Sequence, residues 1–154
     1  MKMTYSNLMK NAMLAAVLLP ALACAEDNTD RRENVLNAAV NSESRLVNVL
    51  QGGTSVDVAD DDGETALMKA AADGNVRAIQ LLVKHGSMVD RRDEDGRTAL
   101  MYAAKEGNTE AVKDLLSAGA NPTLRDEDGK TALNLAEDDK HADTADVLRA
   151  AMTK

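Results

Sequence analysis

Aromatic residues are almost absent from this chain of 154 residues, which has no Phe, no Trp and only two Tyr. A core without aromatic rings must be assembled from many smaller contacts, because aromatic side chains bury the largest area per residue. The chain also has a single cysteine, Cys24, so a disulfide within the chain is excluded. The composition therefore favours small repeated helices rich in Ala, Leu and Val over one thick core.

Basic residues are fewer than acidic ones. The chain has 18 Lys and Arg against 26 Asp and Glu, which gives a formal net charge of −8. Removal of the first 25 residues would remove Lys2 and Lys10 but no acid, and would bring the net charge to −10. Nucleic-acid phosphates would repel a chain this acidic, and no basic amphipathic helix is present for anionic membranes. We therefore expect no nucleic-acid partner.

The first 25 residues have the three parts of a secretory signal peptide. Lys2 and Lys10 make a basic start, an apolar run follows at residues 12–22, and small residues precede the abrupt change of charge at Glu26. The apolar run is far shorter than the ~20 residues that a membrane-spanning helix needs. A buried helix of the mature fold is the alternative, which the change of charge disfavours. We predict export to the periplasm, or secretion.

Two forms of processing are compatible with the end of this segment. Cleavage after Ala25 fits the small residues Ala23 and Ala25 and would leave a mature chain without cysteine. Alternatively, lipidation of Cys24 would anchor the chain to a membrane that faces the periplasm, although the residues before Cys24 depart from the usual lipoprotein pattern. We expect contact with a membrane only in the second case.

The rest of the chain is organised by a repeat of 33 residues. Its most regular element is Thr-Ala-Leu, which begins at Thr65, Thr98 and Thr131. Each copy follows an acidic turn that ends in Asp-Gly, and two copies are followed by paired alanines and a glycine. Apolar residues at i, i+3 and i+4 then predict a second helix, which a glycine ends. Such a period predicts a stack, because one unit alone cannot cover its apolar stripe.

This pattern resembles the ankyrin repeat, whose family signature is D-x-x-G-x-T-P-L-H-x-A-A-x-x-G. The chain departs from it at the proline, which is Ala in all three copies, and at the histidine, which is Met or Asn. The resemblance implies an all-α solenoid of about four helix-turn-helix repeats with short β-hairpin fingers. We place this domain at residues 33–154, after a flexible polar segment at 26–32. The predicted repeats are 33–61, 62–94, 95–127 and 128–154.

No motif in the chain predicts catalysis, a cofactor or a metal site. The acidic turns lack the ligand spacing of a calcium loop, and Arg91 and Arg125 stand where acids would be needed. His85 and His141 fall at helix ends, where a structural role is sufficient. The chain has no nucleophile elbow and no phosphate-binding glycine loop. We expect a protein that is not an enzyme and needs no cofactor; an enzyme using surface carboxylates is the alternative.

Variation between the repeats indicates where a partner would bind. Positions that are the same in every unit build the stack, whereas positions that change are free to recognise another molecule. The resemblance places the recognition surface on the finger tips and on the exposed side of the first helices. The candidate protein-binding residues there are Glu64, Lys69, Asp73, Arg92, Arg97, Tyr102, Lys105, Arg125, Lys130 and Leu135.

Tyr102 is the predicted centre of that surface. It is the only aromatic residue after residue 25, and Lys69 and Leu135 occupy its position in the neighbouring units, so the stack should not require it. Tyr and Arg are enriched among binding hot spots, and Arg92 and Arg97 lie on the adjacent finger. We expect these three residues to form an aromatic and basic island in an acidic surface. The alternative is that the tyrosine ring only packs on a neighbouring methionine.

The resemblance implies a protein-binding function. Exported bacterial ankyrin proteins of this kind include immunity proteins, which block a toxin or a cell-wall hydrolase, and stress-protection proteins linked to a periplasmic catalase. We favour the inhibitor, because a compact, rigid and acidic binder suits a basic enzyme. The expected partner is another protein, and a basic one under this interpretation.

Overall fold

The structure is a computed structural model that describes residues 34–153, and these form one stack of paired helices. Within this range there are eight helices and no strand. The helices are α1 (34–41), α2 (Glu43–Gln51), α3 (Ala66–Ala72), α4 (Val76–Lys84), α5 (Ala99–Lys105), α6 (Thr109–Ser117), α7 (Ala132–Asp138) and α8 (Ala142–Met152). The predicted all-α solenoid of four helix pairs is confirmed, and each pair falls within one predicted repeat.

The predicted export segment lies outside the described residues. This applies to the signal peptide at residues 1–25, to Cys24 and to the polar segment at 26–32. In the part of the chain that is described, no helix is long and apolar enough to cross a membrane.

The last three units begin their first helix at the threonine of the Thr-Ala-Leu element. The hydroxyl oxygens of Thr65, Thr98 and Thr131 accept a hydrogen bond from the amide three residues later, at 3.3, 3.4 and 3.3 Å. Each bond satisfies one of the amides that have no partner at the start of a helix. Threonine therefore caps the first helix of each of these three units.

The core runs along the whole stack between the first and second helices. The paired alanines of the first helices are completely buried, and their small size lets neighbouring helices approach closely. The second helices contribute larger apolar side chains, of which Ile79, Leu82, Val112 and Leu115 are at most 1% exposed. Many Ala, Leu and Val contacts thus replace the aromatic core that the composition excludes.

The fingers are the hydrogen-bonded turns at residues 59–65, 92–98 and 125–131, with one isolated β-bridge between Ala59 and Thr65. Each finger is counted with the first helix that follows it, so these are the fingers of the second, third and fourth units. In each finger the amide of the first aspartate donates to the carbonyl four residues later, at 3.0 Å. These aspartates are Asp60, Asp93 and Asp126. Neighbouring fingers are joined by backbone bonds from Glu94 to Asp62, at 3.2 Å, and from Glu127 to Asp95, at 3.0 Å. The predicted fingers therefore form a continuous row of turns without strands.

The link between the two helices of a unit needs a residue with positive φ. Gly74 and Gly107 supply it in the second and third units, with φ of 67° and 72°. In the fourth unit Lys140 adopts the same conformation, with φ of 65°, and no other non-glycine residue of the described chain does so. A side chain in this left-handed region costs about 1–2 kcal/mol.

Lys140→Gly should therefore stabilise the fourth unit. The relieved strain exceeds the extra freedom of glycine in the unfolded chain, so we expect urea denaturation to show a gain of about 0.5–1 kcal/mol. Lys140→Ala is the control, because it removes the charge but keeps the Cβ atom that causes the strain. An equal gain with alanine would contradict the strain argument.

Candidate functional site

The ten predicted binding residues differ widely in exposure. Five of them are exposed, namely Asp73, Arg92, Lys105, Arg125 and Lys130. Four are half-buried, namely Glu64, Lys69, Arg97 and Tyr102. Leu135 is only 8% exposed and belongs to the core, so the expectation that its position faces solvent is wrong.

The aspartate that begins each finger also closes the turn with its side chain. One carboxylate oxygen of Asp60, Asp93 and Asp126 accepts from the amide four residues later, at 2.9, 2.8 and 2.8 Å. In the second and third units the second oxygen contacts the first helix of the same unit, at the position nine residues after the aspartate. That position differs in every repeat. The residues at that position are Lys69, Tyr102 and Leu135.

In the second unit this position forms an ion-pair cluster. The Nζ atom of Lys69 lies 2.8 Å from Asp60 Oδ2 and 2.7 Å from Glu64 Oε2. The hydrogen bond from Lys69 holds the pKa of Glu64 below its ordinary value. Burial raises the pKa of Asp60, but hydrogen bonds from Lys69 and the backbone outweigh burial and lower it. Burial likewise disfavours the Lys69 cation, yet the two carboxylates raise its pKa, so all three groups are charged at neutral pH.

In the third unit Tyr102 connects two repeats. Its hydroxyl lies 2.7 Å from Glu64 Oε1, in the second unit, and 2.7 Å from Asp93 Oδ2, in its own finger. The hydroxyl has one proton and donates to one carboxylate at a time. Burial and the two carboxylates raise the pKa of Tyr102 well above its ordinary range. Tyr102 therefore contacts two units of the stack, and its contact with a partner stays a prediction.

The arginines of the third finger contact both their own finger and the fourth finger. The Nη2 atom of Arg92 donates to the carbonyl of Arg125 at 2.7 Å, and its Nε donates to the carbonyl of Gly96 at 2.9 Å. Arg97 Nε lies 3.9 Å from Asp126 Oδ2. Each arginine thus links the third finger to the fourth, whereas the hydroxyl of Tyr102 lies between carboxylates of the second and third fingers. The aromatic and basic island stays a prediction.

In the fourth unit the first helix offers no donor to the second carboxylate oxygen of the finger aspartate, because Leu135 is apolar. The side chain of Asp126 is only 2% exposed, and its Oδ2 and the Nε of Arg97 have no hydrogen-bond partner within the described residues. The two atoms face each other, so the charge of Arg97 is what compensates the buried carboxylate. Sequence reasoning missed this pair. The sequence does contain a signal for it: an aspartate recurs in every finger at 33-residue spacing, whereas the residue nine positions later changes from Lys to Tyr to Leu.

The net charge of the described domain lies on the fingers and the first helices that follow them. The segments 59–73, 92–106 and 125–139 hold 15 acidic and 6 basic residues, a net charge of −9. The other described residues hold 7 acidic and 7 basic residues, a net charge of zero. We call the surface formed by these three segments the acidic face.

A groove with a volume of about 210 Å³ opens on this face between the first helices of the first three units. Its lining residues are Val40, Glu64, Met68, Lys69, Ala72, Asp73 and Tyr102. The groove is smaller than the ~300–1,000 Å³ of a typical small-molecule site. Within residues 34–153 no group of three His, Cys, Asp or Glu side chains could hold a metal ion. The arrangement offers a charged surface with a recess the size of one side chain.

A family model for ankyrin repeats in three copies matches residues 35–126, more than half of the chain. The chain belongs to the ankyrin-repeat family. Ankyrin repeats are typically non-enzymatic interaction modules, and the chain is therefore a protein-binding module. The fourth repeat lies largely beyond the match but continues the ankyrin stack, since α7 packs on α5 and α8 packs on α6. No curated protein matches the chain.

The charged cluster predicts how the stability of the ankyrin stack depends on pH. Asp60 and Glu64 have lowered pKa values, so the stability they contribute is complete at neutral pH and is lost as the pH falls below about 4. Lys69 and Tyr102 have raised pKa values, so their contribution is complete at neutral pH and is lost as the pH rises above about 10. We expect a level Tm between about pH 5 and 9.

Tyr102→Phe tests the alkaline part of this profile. The variant should lower Tm at pH 7, because Asp93 Oδ2 loses its donor, and should reduce the further fall of Tm above about pH 10. Lys105→Met, on an exposed residue of the same helix, should leave the profile unchanged. An alkaline fall of the same size in Tyr102→Phe and in the unsubstituted chain would contradict the role given to the hydroxyl.

Proposed function

We propose that this ankyrin protein is exported and binds a basic enzyme in the periplasm, which it inhibits in the manner of an immunity protein. The observation that supports this is the segregation of charge: the acidic face has a net charge of −9, and the rest of the described domain is neutral. Complementary charge steers a basic partner to one side of the stack and fixes its orientation.

The basic residues of the acidic face are mostly engaged within the stack. Lys69, Arg97 and Lys130 pair with carboxylates, and Lys130 Nζ lies 2.7 Å from Asp138 Oδ2. Arg92 and Arg125 donate to backbone carbonyls, at 2.9 Å and 2.6 Å respectively. Carboxylates still outnumber basic residues on the acidic face by 15 to 6, so a partner meets a predominantly negative surface.

Export rests on the pattern of residues 1–25, and mass spectrometry of the native protein tests it. The expected mature chain starts at Glu26, or carries a lipid on Cys24 and fractionates with membranes. An N-terminus at Met1 in the cytoplasmic fraction would refute export.

Binding is tested with charge variants of matched size. Asp61, Glu94 and Glu127 are exposed finger-tip residues at equivalent positions of three fingers. We expect the variant Asp61→Asn, Glu94→Gln, Glu127→Gln to capture less of the partner from a periplasmic extract than the unsubstituted chain does. Association with the purified partner should slow as salt is added, and should slow less in the variant.

The control removes three carboxylates from the second helices, by Glu43→Gln, Glu110→Gln and Asp143→Asn. These residues are exposed and lie outside the acidic face, so total charge changes equally while the face is intact. Equal effects of the two triple variants, or association that does not depend on salt, would show that the acidic charge serves solubility alone. A partner whose enzymatic activity is unchanged in the complex would refute inhibition.

A further inference from the structure

The groove on the acidic face has the walls expected of a receptor for one long side chain. Val40 of α1 forms an apolar wall and is 38% exposed, which is unusual for a large apolar residue in the described chain. Met68 and Ala72 of α3 continue the apolar lining, and Tyr102 of α5 adds an aromatic ring. A volume of about 210 Å³ accommodates a single side chain and excludes a folded segment.

The charge at the rim of the groove is negative. Asp73 is exposed and is the C-cap residue of α3, where the helix carbonyls repel a carboxylate, so it does not stabilise the helix. Lys69 also lines the groove, but its ammonium group lies on Asp60 and Glu64, at 2.8 and 2.7 Å. Among residues 34–153 no basic side chain forms an ion pair with Asp73, so its charge is left for a cation from a partner.

We propose that this groove anchors one long basic side chain, arginine or lysine, of the protein partner. Its aliphatic stem lies on Val40 and Ala72, and its charged head reaches Asp73 and the ring of Tyr102. Charge complementarity selects this occupant, since the groove opens on the acidic face. The inference rests on the proposed function, because it names the point at which the acidic face holds its basic partner.

Titration of the purified chain with N-acetyl-arginine amide, followed by NMR, tests this anchor site. The methyl signals of Val40, Met68 and Ala72 should shift and saturate, whereas N-acetyl-citrulline amide, which has nearly the same shape but no charge, should leave them in place. Asp73→Asn should weaken binding of the arginine amide about two- to fivefold. Asp139→Asn, at the equivalent C-cap of α7 and outside the groove, should not.

Shifts that fall on the finger tips but not on the groove methyls would overturn the proposal, as would an equal response to citrulline. Equal effects of Asp73→Asn and Asp139→Asn would overturn it as well, and a Tm measured for both variants shows that they are folded. Failure of the groove is distinguishable from failure of the proposed function. If the arginine amide avoids the groove while partner capture still depends on the finger-tip carboxylates, only the anchor site is refuted.

Discussion

Leu115→Ala should lower the free energy of unfolding by about 2–5 kcal/mol. Leu115 is completely buried in α6, a helix that packs on α4, α5 and α8, and the shortened side chain leaves a cavity at the centre of the stack. Stability in a repeat protein is passed between nearest neighbours, so the third and fourth units should unfold together in the variant. Urea denaturation followed by circular dichroism measures the loss.

Leu116→Ala is the matched control, because it makes the same chemical change one residue further along the same helix. Leu116 is half-buried and lines the outer surface between α6 and α8, so its substitution should cost about 1 kcal/mol. A similar cost at both positions would mean that the apolar stripe of α6 has been assigned the wrong register.

The 33-residue period was sufficient to predict the helices of each unit and their buried positions. Burial of Leu115 follows from the i, i+3, i+4 spacing on α6, and the helix start at Thr98 follows from the capping preference of threonine. Both are local rules, which act within one unit and repeat in the next. The positive φ at Gly107 is predictable for the same reason, since the short link between two helices imposes it.

The polar contacts between finger and helix could not be predicted in this way. Tyr102 meets Glu64 across 38 positions of sequence, and the contact exists only because α5 lies beside the second finger in the folded stack. Variation at this position predicts a residue that the stack does not require. In the structure two of the three residues at this position contact the finger aspartate of their unit. Lys69 forms an ion pair with Asp60, and Tyr102 lies within hydrogen-bond distance of Asp93.

This difference matters for any experiment that seeks the binding residues. A substitution at a variable position can weaken binding because the residue contacts the partner. It can also weaken binding because the substitution destabilises the repeat. Substitution of Tyr102 or Arg97 is expected to destabilise the stack, because Tyr102 contacts Asp93 and Arg97 faces Asp126. Loss of binding in these variants is informative only beside a melting curve. The exposed Asp73 and the finger-tip carboxylates are cleaner positions for such tests.

Arg97→Glu should lower the free energy of unfolding by roughly 2–4 kcal/mol. This range lies between the cost of a buried polar group without a hydrogen-bond partner and the cost of removing one member of a buried ion pair. The side chain of Asp126 is 2% exposed, and Arg97 is the cation that faces it, at 3.9 Å. The substitution removes that cation and puts a second carboxylate in its place. The fourth unit, whose finger contains Asp126, should therefore separate from the third at lower urea concentration.

Two variants distinguish this effect from a general change of charge. Lys130→Glu makes the same reversal at the equivalent position of the next finger, where the lysine is 46% exposed and pairs with the exposed Asp138, so stability should change little. In the background of Asp126→Asn the buried charge is gone, and most of the cost of Arg97→Glu should disappear, as a double-mutant cycle would measure. If Arg97→Glu costs as much with Asn at position 126 as with Asp, Arg97 does not compensate that carboxylate, and its place in the finger must be explained by the partner.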